Sequence, residues 1–280
     1  MSQPSSAVVK KAEEYYDSSD ADCFYNTVWG GEDIHVGIYQ SAGESIYDAS
    51  RRTVEQMAEK LHSWFSGTQV LDIGAGYGGS GRYLAREKQY EVSCLNLSEV
   101  QNERNRKLTE EANLSGAVQV VYGNFESLPF EDKSFDVVWA QDAILHSGNR
   151  KKVFEEVHRV LRPGGEFIFT DPMQKPGADA ETLKPVLERI HLESMGSVEC
   201  YGNYARELGM ETIEVLQMPE QLVNHYSAVL HNLESRHDEL KDVCDPAYLE
   251  RMQNGLKHWI DAGKNNALDW GILHFRKANS

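Results

Sequence analysis

The chain has 280 residues, 40% of them hydrophobic, with 28 basic against 44 acidic residues and a formal charge of −16. That is enough for one large packed domain, and the charge excludes phosphate backbones and anionic membrane surfaces as natural partners. Cys23, Cys94, Cys200 and Cys244 are scattered without short Cys/His clusters, so neither a zinc site nor a disulfide framework is indicated. No apolar run reaches membrane-span or signal-peptide length, and the expectation is a cytoplasmic protein that binds no nucleic acid, membrane or metal.

Residues 8 to 16 read as a short helix ending in Tyr15-Tyr16-Asp17. From Cys23 to Tyr39, aromatics including Tyr25, Trp29 and His35 mix with Gly30, Gly31 and Gly37. Such a segment can be a lid; each ring taken singly is as well explained by packing on the domain body. A helix is expected over 50–64, with Val54, Met57, Ala58, Leu61 and Phe65 on one face and Gly67 as its stop.

Val70-Leu71-Asp72-Ile73-Gly74-Ala75-Gly76-Tyr77-Gly78-Gly79 describes a buried strand that stops at a tight glycine turn. The glycines alone fit a loose dinucleotide pattern. Asp72 separates the alternatives, because an acid at that place repels a pyrophosphate and attracts a cationic amine. The reading is S-adenosylmethionine rather than NAD.

A helix around 83–85 and a strand over 91–97 complete a strand–helix–strand unit. Asn96 stands where a dinucleotide domain carries its ribose-binding acid, and can serve either the ribose or a turn. A helix follows over 98–108, then a strand over 118–122 with Asn124 placed to read an adenine edge, and a fourth strand over 135–140. In Gln141-Asp142-Ala143-Ile144-Leu145-His146, a helical turn would put Asp142 and His146 on one face as an acid–imidazole pair; equally, the aspartate caps the turn and the histidine packs beneath it.

The next helix, over 149–161, has Arg150, Lys151 and Lys152 at its positive end, so packing must carry it. Arg162-Pro163-Gly164-Gly165 is expected to end that helix, before a strand over 166–171. Helices over 180–193 and 198–208, strands over 211–217 and 270–275, and a helical insertion over 220–261 complete the chain. The histidines of the insertion lack the spacing of a metal motif, and a substrate cap is the more plausible use of it.

With these motifs in place the chain resembles the class I S-adenosylmethionine-dependent methyltransferases. Tyr-Tyr-Asp (15–17), the aromatic segment 24–39, Gln-Asp-Ala-Ile-Leu-His-Ser (141–147), Thr-Asp-Pro-Met (170–173) and His-Tyr-Ser (225–227) resemble the sarcosine/dimethylglycine N-methyltransferases that make glycine betaine, an osmoprotectant. The resemblance implies an α/β fold: a seven-stranded, mostly parallel Rossmann-like sheet with helices on both faces. The arm or lid would be 1–49, and the methyltransferase domain 50–280 with cap segments at about 174–209 and 220–262.

It further implies cofactor contacts at Tyr16, Asp72, Gly74, Ala75, Gly76 and Gln141, ribose contacts at Asn96, Leu97 and Gln101, and adenine contacts at Asn124 and Phe125. Asn96 departs from the acid usual in the wider superfamily. Related phosphoethanolamine methyltransferases imply that Asp142 meets the substrate amine and that His146 latches to an amino-terminal tyrosine, Tyr25 or Tyr16. The cation formed at the last step fits the ring faces of Trp29, Tyr25, Tyr204 or Tyr226. The substrate carboxylate calls for a cation, Arg189 or Arg206, and Met173 falls on the substrate side.

The expected activity is N-methylation of dimethylglycine and sarcosine by a monomer or homodimer. The alternatives are a phosphoethanolamine or other small-amine methyltransferase, and a non-catalytic cofactor-binding protein.

Overall fold

The computed structural model describes residues 24, 25, 27–29, 31–62, 64–190, 192–241 and 244–279. Seven strands, β1 (Gln69–Ile73), β2 (Glu91–Asn96), β3 (Val118–Tyr122), β4 (Phe135–Gln141), β5 (Leu161–Gln174), β6 (Met210–Gln217) and β7 (Leu268–Lys277), form one sheet in the order β3-β2-β1-β4-β5-β7-β6. β1 to β5 run parallel, whereas β7 is antiparallel to both β5 and β6. The order reverses between β1 and β4, and a parallel sheet opens its ligand crevice at such a switch point.

The central strands are apolar on both faces because helices cover both. Val137, Val138, Trp139 and Ala140 of β4 are all fully buried. The connecting helices are α1 (Ile46–Lys60), α2 (Gly79–Lys88), α3 (Glu99–Glu111), α4 (Arg150–Val160), α5 (Ala180–Arg189) and α6 (Val198–Glu207). Between β6 and β7 stand α7 (Pro219–Ser235), α8 (His237–Leu240) and α9 (Pro246–Lys264).

The helix expected over 180–193 stops at Arg189 and the strand expected over 270–275 spans Leu268–Lys277; two further boundaries differ for reasons visible in the local contacts. α1 begins at Ile46, where the Ser45 hydroxyl accepts the Asp48 amide at 3.1 Å, and ends at Lys60. The cap sets the start, and Phe65, expected on the buried face, is 71% exposed beyond the helix. The Arg-Pro-Gly-Gly turn is absorbed into the span of β5: Leu161 already pairs with Phe135, and a register shift between Phe135 and Val137 accommodates the extra residues.

α4 forms despite its basic first turn. Asn149 caps it by accepting the Lys152 amide at 3.1 Å, Lys151 pairs with Glu207 at 2.7 Å, and Val153, Phe154, Val157 and Val160 are fully buried.

The segment 31–39 is fastened along its backbone. Val36 and Ile38 carbonyls accept from Thr53 Oγ1 at 2.9 Å and Arg52 Nη1 at 2.5 Å, and the Ile38 amide donates to Ala49 O at 3.0 Å. A Cβ at Gly37 would lie 2.7 Å from the Ala49 carbonyl carbon, so only glycine lets the segment lie this close to α1. On the cap side, the Gly37 amide donates to His225 Nδ1 at 3.1 Å and the Tyr39 amide to Gln221 Oε1 at 2.8 Å.

Candidate functional site

β1 ends in Asp72-Ile73 and turns at Gly74, Gly76 and Gly78, all with positive φ (76°, 53° and 75°). Gly74 and Ala75 amides donate to Leu95 O at 2.8 and 3.1 Å, which locks the turn onto β2. A side chain at Gly74 would collide with Ala143, and one at Gly78 with Asn105. The turn is glycine because its backbone is left-handed and its neighbours leave no room.

A pocket lies against this turn, lined by Glu32, Asp33, Ile34, His35, Asp72, Gly74, Ala75, Gly79, Ser80 and Gln141. Three of its side chains are acids. Burial pushes the Asp72 carboxyl up to about 7, with Asp33 adding to the rise. Burial likewise raises Asp33 to about 6, opposed by Arg51, whose Nη2 lies 2.7 Å away. Arg82, itself buried, holds Glu32 from behind and also reaches Asn105 at 2.9 Å.

Polar atoms of the lining stand ready for a ligand. Asp33 Oδ1, His35 Nε2 and Gln141 Nε2 are buried with no hydrogen-bond partner among the described residues. Such atoms are costly unless something fills them. Gln141 is oriented through its other end, where Oε1 accepts from Trp139 Nε1 at 3.0 Å and from the Ser80 hydroxyl. Carboxylates beside an outward amide donor and a left-handed glycine turn fit the ammonium and carboxylate of an amino-acid tail carrying a sulfonium. They do not fit a pyrophosphate.

Of the residues expected on the cofactor, Asp72, Gly74, Ala75 and Gln141 line this pocket. Gly76 faces the Ile34 side chain, whose Cδ1 would lie 3.1 Å from an added Cβ. Asn96, Leu97 and Gln101 stand at the carboxyl end of β2 and the start of α3, with Asn96 Nδ2 donating to Gln101 Oε1 at 2.8 Å. Asn124 follows β3 and uses its Oδ1 on the Glu126 amide at 2.8 Å, while Phe125 packs in the core. These five lie beyond the residues of the acidic pocket. Tyr16 lies outside the described residues.

Asp142 and His146 do not share a helical face. Asp142 has φ +50°, and the turn that follows is a short 3-10 helix, Ile144–His146, which excludes it. The Asp142 carboxylate accepts the Val36 amide at 2.6 Å through Oδ2 and Trp270 Nε1 at 2.8 Å through Oδ1. Burial raises its pKa, offset by His35 and by those two donors. The imidazole in electrostatic contact with Asp142 is therefore His35.

His35 is buried, and its Nδ1 donates to Val36 O at 3.2 Å, which leaves the Nε2 lone pair facing the pocket residues. Burial lowers its pKa to about 4 against the pull of Asp142, so the ring is neutral. His146 is also held neutral, lowered to about 4 by burial and then by Arg150 and Arg189.

The expected substrate residues divide. Tyr25, Trp29 and Tyr226 form one aromatic group, with Tyr25–Trp29 at 5.0 Å, Trp29–Tyr226 at 5.9 Å and Tyr226–Trp259 at 5.0 Å between ring centroids. Met173 is fully buried in the sheet core. Tyr204 packs edge-on against Phe154 at 5.6 Å, and Arg206 is exposed, bonded to Asn203. Arg189 is seated between α5 and α9, its Nη2 3.6 Å from Met252 Sδ.

Glu32, Asp33, Ile34, His35 and Ser80 had no assigned role in the sequence, although Gly30-Gly31-Glu32-Asp33 offered a signal: two acids beside a glycine pair inside a lid-like segment. A separate cluster joins His62 Nδ1 and His274 Nε2 to Glu166 at 2.9 and 3.0 Å. Arg276 also lies on this carboxylate at 3.3 Å, and a guanidinium there opposes a metal cation.

A family model described as a methyltransferase domain matches residues 71–169. The chain is 55% identical, over 97% of its length and 98% of the relative's, to sarcosine/dimethylglycine N-methyltransferase of Aphanothece halophytica. It is 48% identical to the enzyme of that name from Halorhodospira halochloris, over 96% of both chains. A crystal structure assigned as a sarcosine dimethylglycine methyltransferase, from Galdieria sulphuraria, superposes with a TM-score of 0.90 at 43% identity, covering 95% of this chain and all of that one. The glycine turn, the acid-lined pocket and relatives matched over nearly their whole length agree, and the chain belongs to the family of S-adenosylmethionine-dependent sarcosine/dimethylglycine N-methyltransferases.

Proposed function

We propose that the protein methylates the amine of sarcosine and of dimethylglycine, ending at glycine betaine. The observation that carries this reading is the acid-lined pocket at the glycine turn, roofed by the segment 32–35. When bound, S-adenosylmethionine supplies a methyl group on a cationic sulfur. Asp72 and Asp33 are the groups that hold its ammonium, Gln141 Nε2 donates to its carboxylate, and Asn96 with Gln101 takes the ribose hydroxyls.

Methyl transfer needs a neutral amine lone pair aligned with the methyl carbon and shielded from water. A carboxylate directly on the amine would favour the unreactive ammonium. Asp142 avoids that conflict, since both of its oxygens are engaged by the Val36 amide and the Trp270 indole. In this reading it is a positioning residue that holds the arm shut.

The neutral His35 presents Nε2 to the pocket as a proton acceptor, and the rings of Tyr25, Trp29 and Tyr226 stabilise the quaternary ammonium product. The arm and the cap helices α7 and α9 together exclude water from the reacting atoms.

The protein is read as a cytoplasmic enzyme that works as a monomer or homodimer. The thiols of Cys94 and Cys200, which form no disulfide among the described residues, support the compartment. Among the described residues, no helix is long and apolar enough to cross a membrane.

Incubation with S-adenosylmethionine and glycine, sarcosine or dimethylglycine, followed by mass spectrometry, tests the reading. Glycine betaine is the expected product. Absence of any methylated glycine derivative would overturn it.

A further inference from the structure

An acidic protein gives most of its arginines a carboxylate partner; Arg51, Arg82 and Arg159 are examples. Arg150 and Arg189 are different. Both are partly buried, and neither forms an ion pair among the described residues. Arg150 opens α4, donates to Ser194 O, places Nη1 3.5 Å from Ser194 Oγ, and leaves its Nε buried without a partner. Arg189 ends α5, with the sulfur of Met252 as a weak acceptor at 3.6 Å.

Room has been made for Arg189. A Cβ at Gly255, in the middle of α9, would lie 2.5 Å from Arg189 Nε and 2.9 Å from Cζ. Glycine is among the poorest helix formers, well below alanine. Here it opens the notch that seats the guanidinium.

The two arginines act on one side chain, since both lie within electrostatic range of His146. Arg150 donates to the Ser194 carbonyl, in the connection that follows α5, and His146 ends the 3-10 turn four positions before Arg150. Burial first, then these same two cations, hold the His146 imidazole neutral. Asp171, an acid within electrostatic range of Arg150, is already occupied, accepting Tyr201 OH at 2.5 Å and the Leu145 amide at 3.0 Å.

Two guanidinium groups with spare donors, beside a neutral imidazole, make a receptor for one small anion. Resting on the acceptor class proposed above, we infer that Arg150 and Arg189 form the clamp for the carboxylate of the methyl-accepting amino acid, with Gly255 providing the space for it. The amine of such an acceptor is one carbon from its carboxylate. Holding the carboxylate therefore sets the direction of the nitrogen lone pair, and acceptors without an anionic end are refused.

The test is calorimetric, so that it does not depend on turnover. Dimethylglycine, its uncharged methyl ester and phosphoethanolamine are titrated into full-length protein saturated with S-adenosylhomocysteine. The wild type is expected to bind dimethylglycine in preference to both others. Arg150→Gln and Arg189→Gln should each weaken dimethylglycine by about tenfold or more while leaving the ester and S-adenosylhomocysteine within about twofold. Gly255→Val, which displaces Arg189 without removing its charge, should act in the same direction and serves if a glutamine variant fails to fold.

Unchanged dimethylglycine affinity in the folded variants would overturn the clamp, as would equal losses for acid and ester. Stronger binding of phosphoethanolamine than of dimethylglycine would overturn the assignment to a carboxylate. Dimethylglycine binding that depends on both arginines, with no methylated product, would refute the proposed activity and leave the clamp standing.

Discussion

The Asp142 carboxylate accepts the amide of Val36 at 2.6 Å, a contact between residues 106 positions apart, and it does so from a left-handed backbone with φ +50°. Left-handed conformation in a residue with a side chain is sparsely populated, and asparagine and aspartate tolerate it best. The strained position aims the carboxylate at the arm, and its second oxygen is held by Trp270.

Asp142→Ala should leave two donors unpaired and lower unfolding stability by roughly 2–4 kcal/mol, with activity lost as the arm releases. Asp142→Asn keeps the backbone preference and one acceptor oxygen, and should cost about half as much. Urea unfolding beside a methyl-transfer assay separates the two; equal stability for Ala and wild type would refute the latch.

Burial pushes the Asp72 carboxyl up to about 7 and the Asp33 carboxyl up to about 6, both well above the ordinary aspartate range, because it penalises their ionised forms. The folded, cofactor-free protein thus binds protons more tightly than the unfolded chain. Its stability should fall as pH rises from about 4 to about 7, and Asp72→Asn should flatten that slope. A cationic ligand favours the ionised carboxyls, so S-adenosylmethionine binding should release protons near pH 6.5 and strengthen toward pH 8. Calorimetry in buffers of different ionisation enthalpy reads the released protons. Proton uptake on binding would contradict the assignment.

Gln141→Glu retains the acceptor for Trp139 and Ser80 but replaces the pocket-facing donor by a negative oxygen. The expected result is about tenfold or greater loss of S-adenosylmethionine affinity with little change in Tm. An unaltered Kd would place the cofactor carboxylate elsewhere.

Gly74→Ala meets two obstacles, a φ of +76° and a collision with Ala143. Strain of this kind costs about 1–3 kcal/mol before any repacking. The variant should show a lower Tm and weaker cofactor binding together. A Tm within a degree of wild type would mean that the turn adjusts freely.

The sheet was legible because its signals are local: short buried apolar runs such as 135–140, and helices with apolar faces such as Val153, Phe154 and Val157. The glycine turn and Asp72 were legible for the same reason. What depended on distance in sequence was not. Asp142 and His146 look like a pair because they are four residues apart, yet a left-handed residue breaks the turn and hands Asp142 to Val36, Trp270 and His35. Arg206 and Arg189 look alike in sequence; only the notch at Gly255 distinguishes them. The start of α1 was misplaced because one cap at Ser45 outweighed the apolar spacing downstream.

The order of the last two strands has a consequence for how the protein is made. β7 inserts between β5 and β6, and it brings Trp270 to Asp142, which in turn holds the arm at Val36. A nascent chain that has not yet reached residue 270 therefore lacks one of the two donors on Asp142, although the glycine turn and all five parallel strands have long since emerged. Contacts this distant along the chain form late and slowly during folding. The half that binds the methyl donor can organise early on the ribosome, and the half that shields the reaction is completed only near the end of synthesis.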